Sequence, residues 1–328
     1  MSKRSVLTLL WCLLVALTIC CGSQSDNDNG GGNLFTSTST SSSLLKGQVD
    51  IEVLLNENMG GSYITAGLVK NNSDKLYSFH TQILYYDSHG KVIGEQGSIV
   101  QDLYPGVEEA FFVLTAEDWS HAAKADINIT NIIKSEKTTI TPDFEFSNLS
   151  VYHHTYGTRV LGEVTNHDEL QYSIGILGLV LDDKGHMVMA NADAISDLRP
   201  GETRMFAVDV LGEESDATDG RVYLESIIEV KPAKEAPNIT FSDLSMTYNS
   251  DVGWTSVQCN ITNHDSRGYR SVRLLIGVYE GGKLVMLAER SLMGIQAGET
   301  IAFNQSTLEG DYTGKELKIQ IDSLAPVE

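Results

Sequence analysis

The sequence predicts an all-β protein built from three tandem copies of one β-sandwich domain. The first observation is a repeated pair of turns, in which an asparagine is followed 35 residues later by a glycine: Asn71 and Gly106, Asn166 and Gly201, Asn263 and Gly298. The second is the period of 95 and then 97 residues, which is about the length of a small β-sandwich. The third is the absence of a sustained 3.6-residue apolar period, together with turn residues every 8 to 12 positions.

The first 20 residues have the pattern of a secretory signal peptide. Lys3 and Arg4 precede an apolar run at 6–19, which is short for a membrane-spanning helix. Residues 22–43 are rich in Ser, Thr, Asn and Gly and carry few apolar side chains. Because such a segment cannot offset its ordering entropy by burial, we expect a disordered tether over 21–46.

The junction Cys20-Cys21-Gly22-Ser23 resembles the lipobox of bacterial lipoproteins, in which a cysteine becomes the lipid-modified N-terminus. Cys21 follows a small residue and precedes Gly-Ser, whereas the bulky Ile19 precedes Cys20. Cys21 is therefore the favoured acceptor and Cys20 the alternative. The resemblance implies acyl chains such as palmitate and an anchor on the extracytoplasmic face of a bacterial membrane. An ordinary cleaved signal peptide is the competing interpretation.

Each repeat is predicted to contain the same succession of strands. The landmarks are an opening strand at Phe146 and Phe241, a long strand from Tyr77, Tyr172 and Tyr269, and a closing strand at Ile127, Val222 and Ile319. The predicted domains are 47–133, 144–230 and 239–325. The two extra residues of repeat 3 fall between its first two strands, so we expect an enlarged loop near 249–255.

The aligned copies also predict which side chains of the long strand face the core. Leu84, Leu179 and Ile276 align and are all large and apolar, as are the aligned residues two positions on. The alternate residues of the strand, which include Tyr85 and point to the opposite face, vary widely in size between the repeats. A core has a fixed volume to fill, so we expect the set that includes Leu84 to face the core and Tyr85 to face outward. Short proline-containing linkers favour an extended, end-to-end arrangement of the domains.

The Asn turn, the string Leu84-Tyr85-Tyr86-Asp87 and the Pro-Gly turn at 105–106 resemble the FxLYD-type family of small Ig-like or fibronectin-like β-domains. The resemblance implies secreted bacterial domains whose motifs are structural, with no catalytic residues. Repeat 3 departs from the family at Val278-Tyr279-Glu280 and at Ala297, which replaces the proline. Its assignment therefore rests on the internal alignment.

Charge and motifs exclude several functions. A formal net charge of −21 disfavours binding to nucleic acid. The sequence contains no nucleophile, zinc or phosphate-loop motif. The Asn-His-Asp strings at His167 and His264 could hold a metal, but repeat 1 has Asn72 there, and an Asx turn explains all three. Cys259 is expected to be a small buried side chain. We expect no catalytic residue, metal or cofactor.

The sequence thus predicts a non-enzymatic, lipid-anchored envelope protein whose domains act as spacer and as protein- or glycan-interaction modules. Trp254, in the enlarged loop, and Tyr85 are the candidate interaction residues, because aromatic side chains often anchor interfaces. The expected partners are the membrane, through the N-terminal lipid, and an unknown protein or cell-wall component. A solute-binding lipoprotein, an accessory subunit of an envelope enzyme or transport complex, and a eukaryotic secreted adhesion glycoprotein are the alternatives.

Overall fold

The computed structural model describes residue 45 and residues 47–59, 62–115, 122–135, 141–154, 157–184, 187–210 and 217–327. The predicted signal peptide, Cys20, Cys21 and nearly all of the predicted tether lie outside these residues. Within them, the regular structure is entirely β-strand, which confirms the all-β class. A search of the same residues for a helix apolar and long enough to cross a membrane finds none.

The described residues form eighteen strands, six in each sequence repeat. Repeat 1 contains β1 (Val49–Met59), β2 (Ser62–Asn71), β3 (Leu76–Tyr86), β4 (Val92–Leu103), β5 (Glu108–Thr115) and β6 (Lys124–Ser135). Repeat 2 contains β7 (Phe144–His154), β8 (Gly157–Asn166), β9 (Tyr172–Leu181), β10 (Met187–Leu198), β11 (Thr203–Val210) and β12 (Asp219–Glu229). Repeat 3 contains β13 (Ile239–Asn249), β14 (Trp254–Asn263), β15 (Tyr269–Glu280), β16 (Lys283–Ile295), β17 (Thr300–Glu309) and β18 (Glu316–Pro326).

Each repeat is β-sandwich-like, with two three-stranded sheets around an apolar cluster. We call β1-β2-β5, β7-β8-β11 and β13-β14-β17 the front sheets, and β4-β3-β6, β10-β9-β12 and β16-β15-β18 the back sheets. A single parallel pairing of β5 with β12 joins the front sheet of repeat 1 and the back sheet of repeat 2 into one six-stranded sheet. Strands pair antiparallel within every sheet of a repeat. Each pair of sheets encloses its own group of buried side chains.

The repeated asparagine ties the two turns of repeat 1 together. The Asn71 side chain is fully buried. Its Nδ2 donates to the carbonyl oxygens of Lys75 at 2.7 Å and Leu103 at 2.9 Å, and its Oδ1 accepts from the backbone N–H of Ser73 at 3.0 Å. The Gly106 N–H donates to the Asn71 carbonyl at 2.8 Å. One amide therefore satisfies three buried backbone groups, which fixes the distance between the turns.

Asn166 and Asn263 make the same contacts, which explains the constant 35-residue spacing. Each donates to the carbonyl four residues on and to a carbonyl before the second turn, and each accepts from the N–H two residues on. This confirms the predicted Asx turn. Gly201 and Gly298, like the first turn's glycine, have positive φ (68° and 71°), which the reversal needs and which L side chains disfavour.

The predicted burial phase of the long strand is wrong in repeats 1 and 2 and right in repeat 3. In β3 the core residues are Ile83 and Tyr85, whereas Leu84 is only half-buried on the outer face. In β15, Ile276 does face the core. The difference arises because β15 holds one extra residue near its start, where its register against β18 shifts. The connection to the next strand is one residue shorter: four residues lie between the paired Tyr279 and Leu284 in repeat 3, and five lie between the paired Tyr86 and Val92 in repeat 1. Aligning the repeats with one constant offset therefore misplaces most of β15 by one position.

The strand bounds confirm where the two-residue insertion of repeat 3 lies. Two residues separate β1 from β2 and β7 from β8, whereas four separate β13 from β14. The enlarged connection is the turn at 250–253, so Trp254 and the residues after it already belong to β14.

The repeats pack face to face, which contradicts the expected end-to-end arrangement. The outer face of each front sheet lies on the outer face of the next repeat's back sheet. The first joint, between repeats 1 and 2, buries Ile64, Ala66, Leu68, Ala110, Leu177, Leu179 and Ala190. The second joint, between repeats 2 and 3, buries Leu161, Met205, Ala207, Leu275, Tyr279, Leu284 and Leu287. The strands at the joints are apolar on both faces, so each needs two partners.

The segment predicted as the second linker is also held in place. The Lys234 N–H donates to Gln171 Oε1 at 2.6 Å, and the Val230 N–H donates to the Gln171 carbonyl at 2.9 Å. Its proline-rich composition predicts stiffness, but these bonds fix the segment against repeat 2 rather than extending it away.

Candidate interaction surface

The outer face of the front sheet of repeat 3 occupies the position at which the two earlier repeats dock their successors. Cross-strand register places one set of side chains on it, because directly paired residues of antiparallel strands share a face. We call this set the terminal face: Thr240, Ser242, Ser245, Thr247 and Asn249 of β13; Trp254, Ser256, Gln258, Asn260 and Thr262 of β14; Thr300, Ala302, Asn304 and Glu309 of β17. The residues on β13 are all exposed.

The terminal face is polar where the equivalent face of repeat 1 is apolar. In repeat 2 the matched positions are mixed, with Arg159 and Glu163 on either side of the buried Leu161. At three matched positions of the central strand, repeat 1 has Ile64, Ala66 and Leu68, all buried in the first joint. Repeat 3 has Ser256, Gln258 and Asn260 at these positions. The third repeat therefore carries hydroxyls and amides where its predecessors carry docking surface.

Trp254 lies at one end of the terminal face. It is 36% exposed and precedes the core-facing Thr255 and Val257, so its alternation places it with Ser256 on the outside. Val252, in the adjoining turn, is 59% exposed. The expectation of an accessible Trp254 therefore agrees with the structure, although the residue lies on a strand rather than within the loop.

The expectation for Tyr85 is wrong. Its side chain is 1% exposed, in the core of repeat 1. The Tyr85 hydroxyl and Thr65 Oγ1 share a 2.5 Å hydrogen bond, and the Tyr63 ring packs edge-on at 5.3 Å between centroids. Burial raises the pKa of the phenol well above its usual value. The error follows from the misassigned burial phase of β3, and Tyr85 is removed as an interaction candidate.

Hydrogen bonds fix the orientation of several groups on the terminal face. Asn260 Nδ2 donates to Asp243 Oδ2 at 2.7 Å, from a bulge in β13. The hydroxyls of Thr262 and Thr300 are 2.9 Å apart across the ladder. Gln258 pairs directly with both Ser245 and Asn304, one on each neighbouring strand. The side chains of Asn260, Thr262 and Thr300 are therefore held in fixed orientations, and the backbone pairing places Ser245, Gln258 and Asn304 side by side across the three strands.

The strands of the terminal face carry no basic residue, and His264, which follows β14, lies at the edge of the face with its Nε2 2.9 Å from Thr240 Oγ1. The three strands β13, β14 and β17 contain no Lys, Arg or His, and their acidic residues are Asp243 and Glu309. The other exposed outer face, on the back sheet of repeat 1, is charged instead. There Lys124 Nζ lies 2.7 Å from Asp126 Oδ2, and Gln82 donates to Glu95 at 2.8 Å.

The other chemistry-bearing residues have structural partners. His167 Nε2 lies 3.0 Å from Glu145 Oε2, and His264 Nε2 lies 2.9 Å from Thr240 Oγ1. Among the described residues, no three His, Cys, Asp or Glu side chains are grouped so as to hold a metal ion. Cys259 is a buried free thiol, and burial raises its pKa to about 11.

A small cleft of about 240 Å³ lies between the Asn turn of repeat 2 and the segment after β12. Its lining includes Arg199, Lys231 and Glu229. Arg199 Nε is buried without a hydrogen-bond partner in the described part of the chain, while its Nη1 donates to Glu202 at 3.3 Å. The lining mixes both signs of charge, so it presents no single ligand chemistry.

Sequence reasoning found Trp254 but not the surface around it. The signal was present, since the outward positions of β14 in repeat 3 carry Ser, Gln and Asn where those of β2 carry Ile, Ala and Leu. It could be recognised only after the outward phase and the joints were known.

Comparisons with known proteins leave the chain without an assigned family. No protein-family model matches it, and no curated protein matches it. Among solved structures, it is similar to the crystal structure of dimeric latent PorU from Porphyromonas gingivalis, with 12% sequence identity and a TM-score of 0.19. The match covers 86% of this chain and 33% of that chain, so this chain spans about a third of the matched one. A similarity at this score carries no argument about function.

Proposed function

We propose that this chain is a non-enzymatic, lipid-anchored protein of the bacterial envelope. Its three repeats act as tandem Ig-like domains that form a spacer and present an interaction surface outside the cytoplasmic membrane. The anchor is the lipid-modified Cys21, with Cys20 as the alternative acceptor. The residues 22–43 that follow are a tether between the lipid and repeat 1.

The observation that carries the proposal is the difference between the terminal face and the two faces equivalent to it. In repeats 1 and 2, the front-sheet face docks the next repeat through buried apolar side chains, accompanied in repeat 2 by the charged Arg159 and Glu163. In repeat 3, the same face is exposed and carries an accessible tryptophan. On this proposal repeats 1 and 2 form the spacer and repeat 3 presents the interaction surface. The tether precedes repeat 1 in the sequence.

Metabolic labelling with a radioactive or alkyne-tagged palmitate in a bacterial host tests the anchor. We expect label on the wild-type protein, retention with Cys20→Ser, loss with Cys21→Ser and loss with the double variant. Retention of label in the double variant excludes lipidation at this junction. A matched Cys259→Ser variant, which changes a buried thiol in repeat 3, should keep the label.

A further inference from the structure

The terminal face differs from an ordinary solvated sheet face in the kind of polarity it carries. A surface that needs only solubility is typically built from interspersed Lys, Arg, Glu and Asp. The back sheet of repeat 1 follows that rule with Glu95, Lys124 and Asp126. The terminal face instead carries hydroxyls and carboxamides over three adjacent strands.

The charge on the face selects the class of ligand. The strands of the face carry no Lys, Arg or His to pair with phosphate, sulfate or carboxylate, and the His264 imidazole at its edge is hydrogen-bonded to Thr240 Oγ1. The net charge of −21 adds a repulsion for any polyanion. An uncharged ligand with many hydroxyls satisfies both conditions, and its hydroxyls can donate to Asp243 and accept from the carboxamides of Gln258 and Asn304.

Trp254 supplies the apolar contact that such a ligand needs. The face of an indole ring is electron-rich, and it attracts the positively polarised C–H groups on the flat side of a sugar ring. Trp254 stands on the same outer row as Ser256 and Gln258, so stacking and hydrogen bonding are available along one line. From Trp254 to Thr262 this row is about 26 Å long, at roughly 3.3 Å per residue, which accommodates a chain of several sugars.

We propose that the terminal face binds a neutral polysaccharide, with Trp254 stacking on one sugar and the amides of Gln258, Asn260 and Asn304 hydrogen-bonding to its neighbours. The inference rests on the proposed function only in placing the face outside the cytoplasmic membrane. Lipid labelling of the N-terminal cysteines and glycan binding by repeat 3 are separate measurements, so either can fail alone.

Native affinity electrophoresis of the full chain tests the proposal. Gels contain dextran, mannan, xylan or hydroxyethylcellulose, with a polygalacturonate gel as the anionic comparison. We expect at least one neutral polysaccharide to retard the protein and polygalacturonate not to do so. Trp254→Ala should weaken the retardation about tenfold, as for a central aromatic anchor, and Gln258→Glu should weaken it through charge and a lost donor.

The matched control is Tyr86→Ala, which removes a half-exposed aromatic residue from the outer face of repeat 1 and should leave retardation unchanged. Urea unfolding of each variant separates lost binding from lost folding. Unchanged mobility in all four neutral gels overturns the proposal. Equal retardation of wild type and Trp254→Ala also overturns it, as does retardation by polygalacturonate alone.

Discussion

The two joints use the same pair of sheet faces but hold them together by different chemistry. The first joint is apolar across its centre, and its strands β5 and β12 add one parallel bridge between Glu109 and Leu224. In the second joint the Gln320 side chain replaces that bridge. Its Oε1 accepts from the Met205 N–H at 2.9 Å, and its Nε2 donates to the Thr203 carbonyl at 3.0 Å.

The charged residue at the matched edge position also differs. Repeat 1 has Glu109, which is fully buried, and neither carboxylate oxygen has a hydrogen-bond partner in the described part of the chain. Repeat 2 has Arg204, which is 2% exposed and donates to Glu202 Oε1 at 2.6 Å and to the Ser196 carbonyl at 2.5 Å. One buried charge is satisfied and the other is not, so the joints should respond differently to mutation and to pH.

The largest expected effect is at the satisfied charge. Arg204→Ala removes a guanidinium that bonds to Glu202, to repeat 2 carbonyls and to the Asp322 carbonyl of repeat 3. We expect a loss of about 3 kcal/mol in the free energy of unfolding, measured by urea denaturation, because the carboxylate and several carbonyls lose their donor. Adding Glu202→Ala should recover part of the loss. A change under about 1 kcal/mol would show that the buried arginine is not stabilising.

Leu177→Ala tests the apolar part of the first joint. Leu177 is fully buried against repeat 1, so truncation should cost about 2–4 kcal/mol in urea denaturation. The matched control is Gln82→Ala, at the equivalent and partly exposed position of repeat 1, which should cost about 0.5 kcal/mol or less. Equal costs at the two positions would contradict face-to-face packing of repeats 1 and 2.

The first joint also shows why the sequence predicted the strands but not their arrangement. The strands, turns and insertion were predictable because apolar periodicity and turn residues are local signals. Leu177 and Leu179 are apolar for a non-local reason, since a different repeat covers them. When a strand is apolar on both faces, the alternation of its side chains cannot show which face lies in the core and which lies in the joint. The alignment of the three repeats was used to choose the core face, and the extra residue in β15 shifted that alignment by one position.

The candidate surface was hidden for the same reason. A Ser, Gln and Asn row on β14 is unremarkable for an exposed strand. It becomes informative only when the matched rows on β2 and β8 are known to dock neighbours. Trp254 could be selected from the sequence because it lies at the loop that is enlarged in repeat 3, whereas Tyr85 was selected because the burial phase of β3 was wrongly assigned.

Tyr279→Phe tests the polar part of the second joint. The Tyr279 hydroxyl donates to Glu163 Oε1 at 2.5 Å across the joint, and Asn148 Nδ2 donates to the other carboxylate oxygen. Loss of one charge-assisted bond should cost about 1.5–2 kcal/mol. Tyr269→Phe, whose hydroxyl bonds to Asp265 within repeat 3, is the chemically matched control. A double variant with Glu163→Gln should show coupling for Tyr279 and none for Tyr269.

Glu109→Gln should have the smallest effect and the opposite sign. Burial, together with Asp102 and Glu225, raises the pKa of Glu109 well above its usual value, and burial raises the pKa of Glu225 to about 7. Below the unfolded-state pKa of about 4.3, both carboxyls are protonated in both states and carry no penalty. As pH rises further, the unfolded chain releases its protons first, so stability falls until the pH passes the folded-state pKa values.

Glu109→Gln keeps the shape of the side chain and removes its share of that fall. We expect it to match the wild type near pH 4 and to be more stable than the wild type at pH 8, measured by urea denaturation across this range. Glu108→Gln, at the exposed neighbouring position, should follow the wild type at every pH. If the two variants run parallel, the acid at the first joint is ionised and satisfied in the folded protein. If they diverge above pH 5, the buried acid at the first joint destabilises the folded protein as the pH rises.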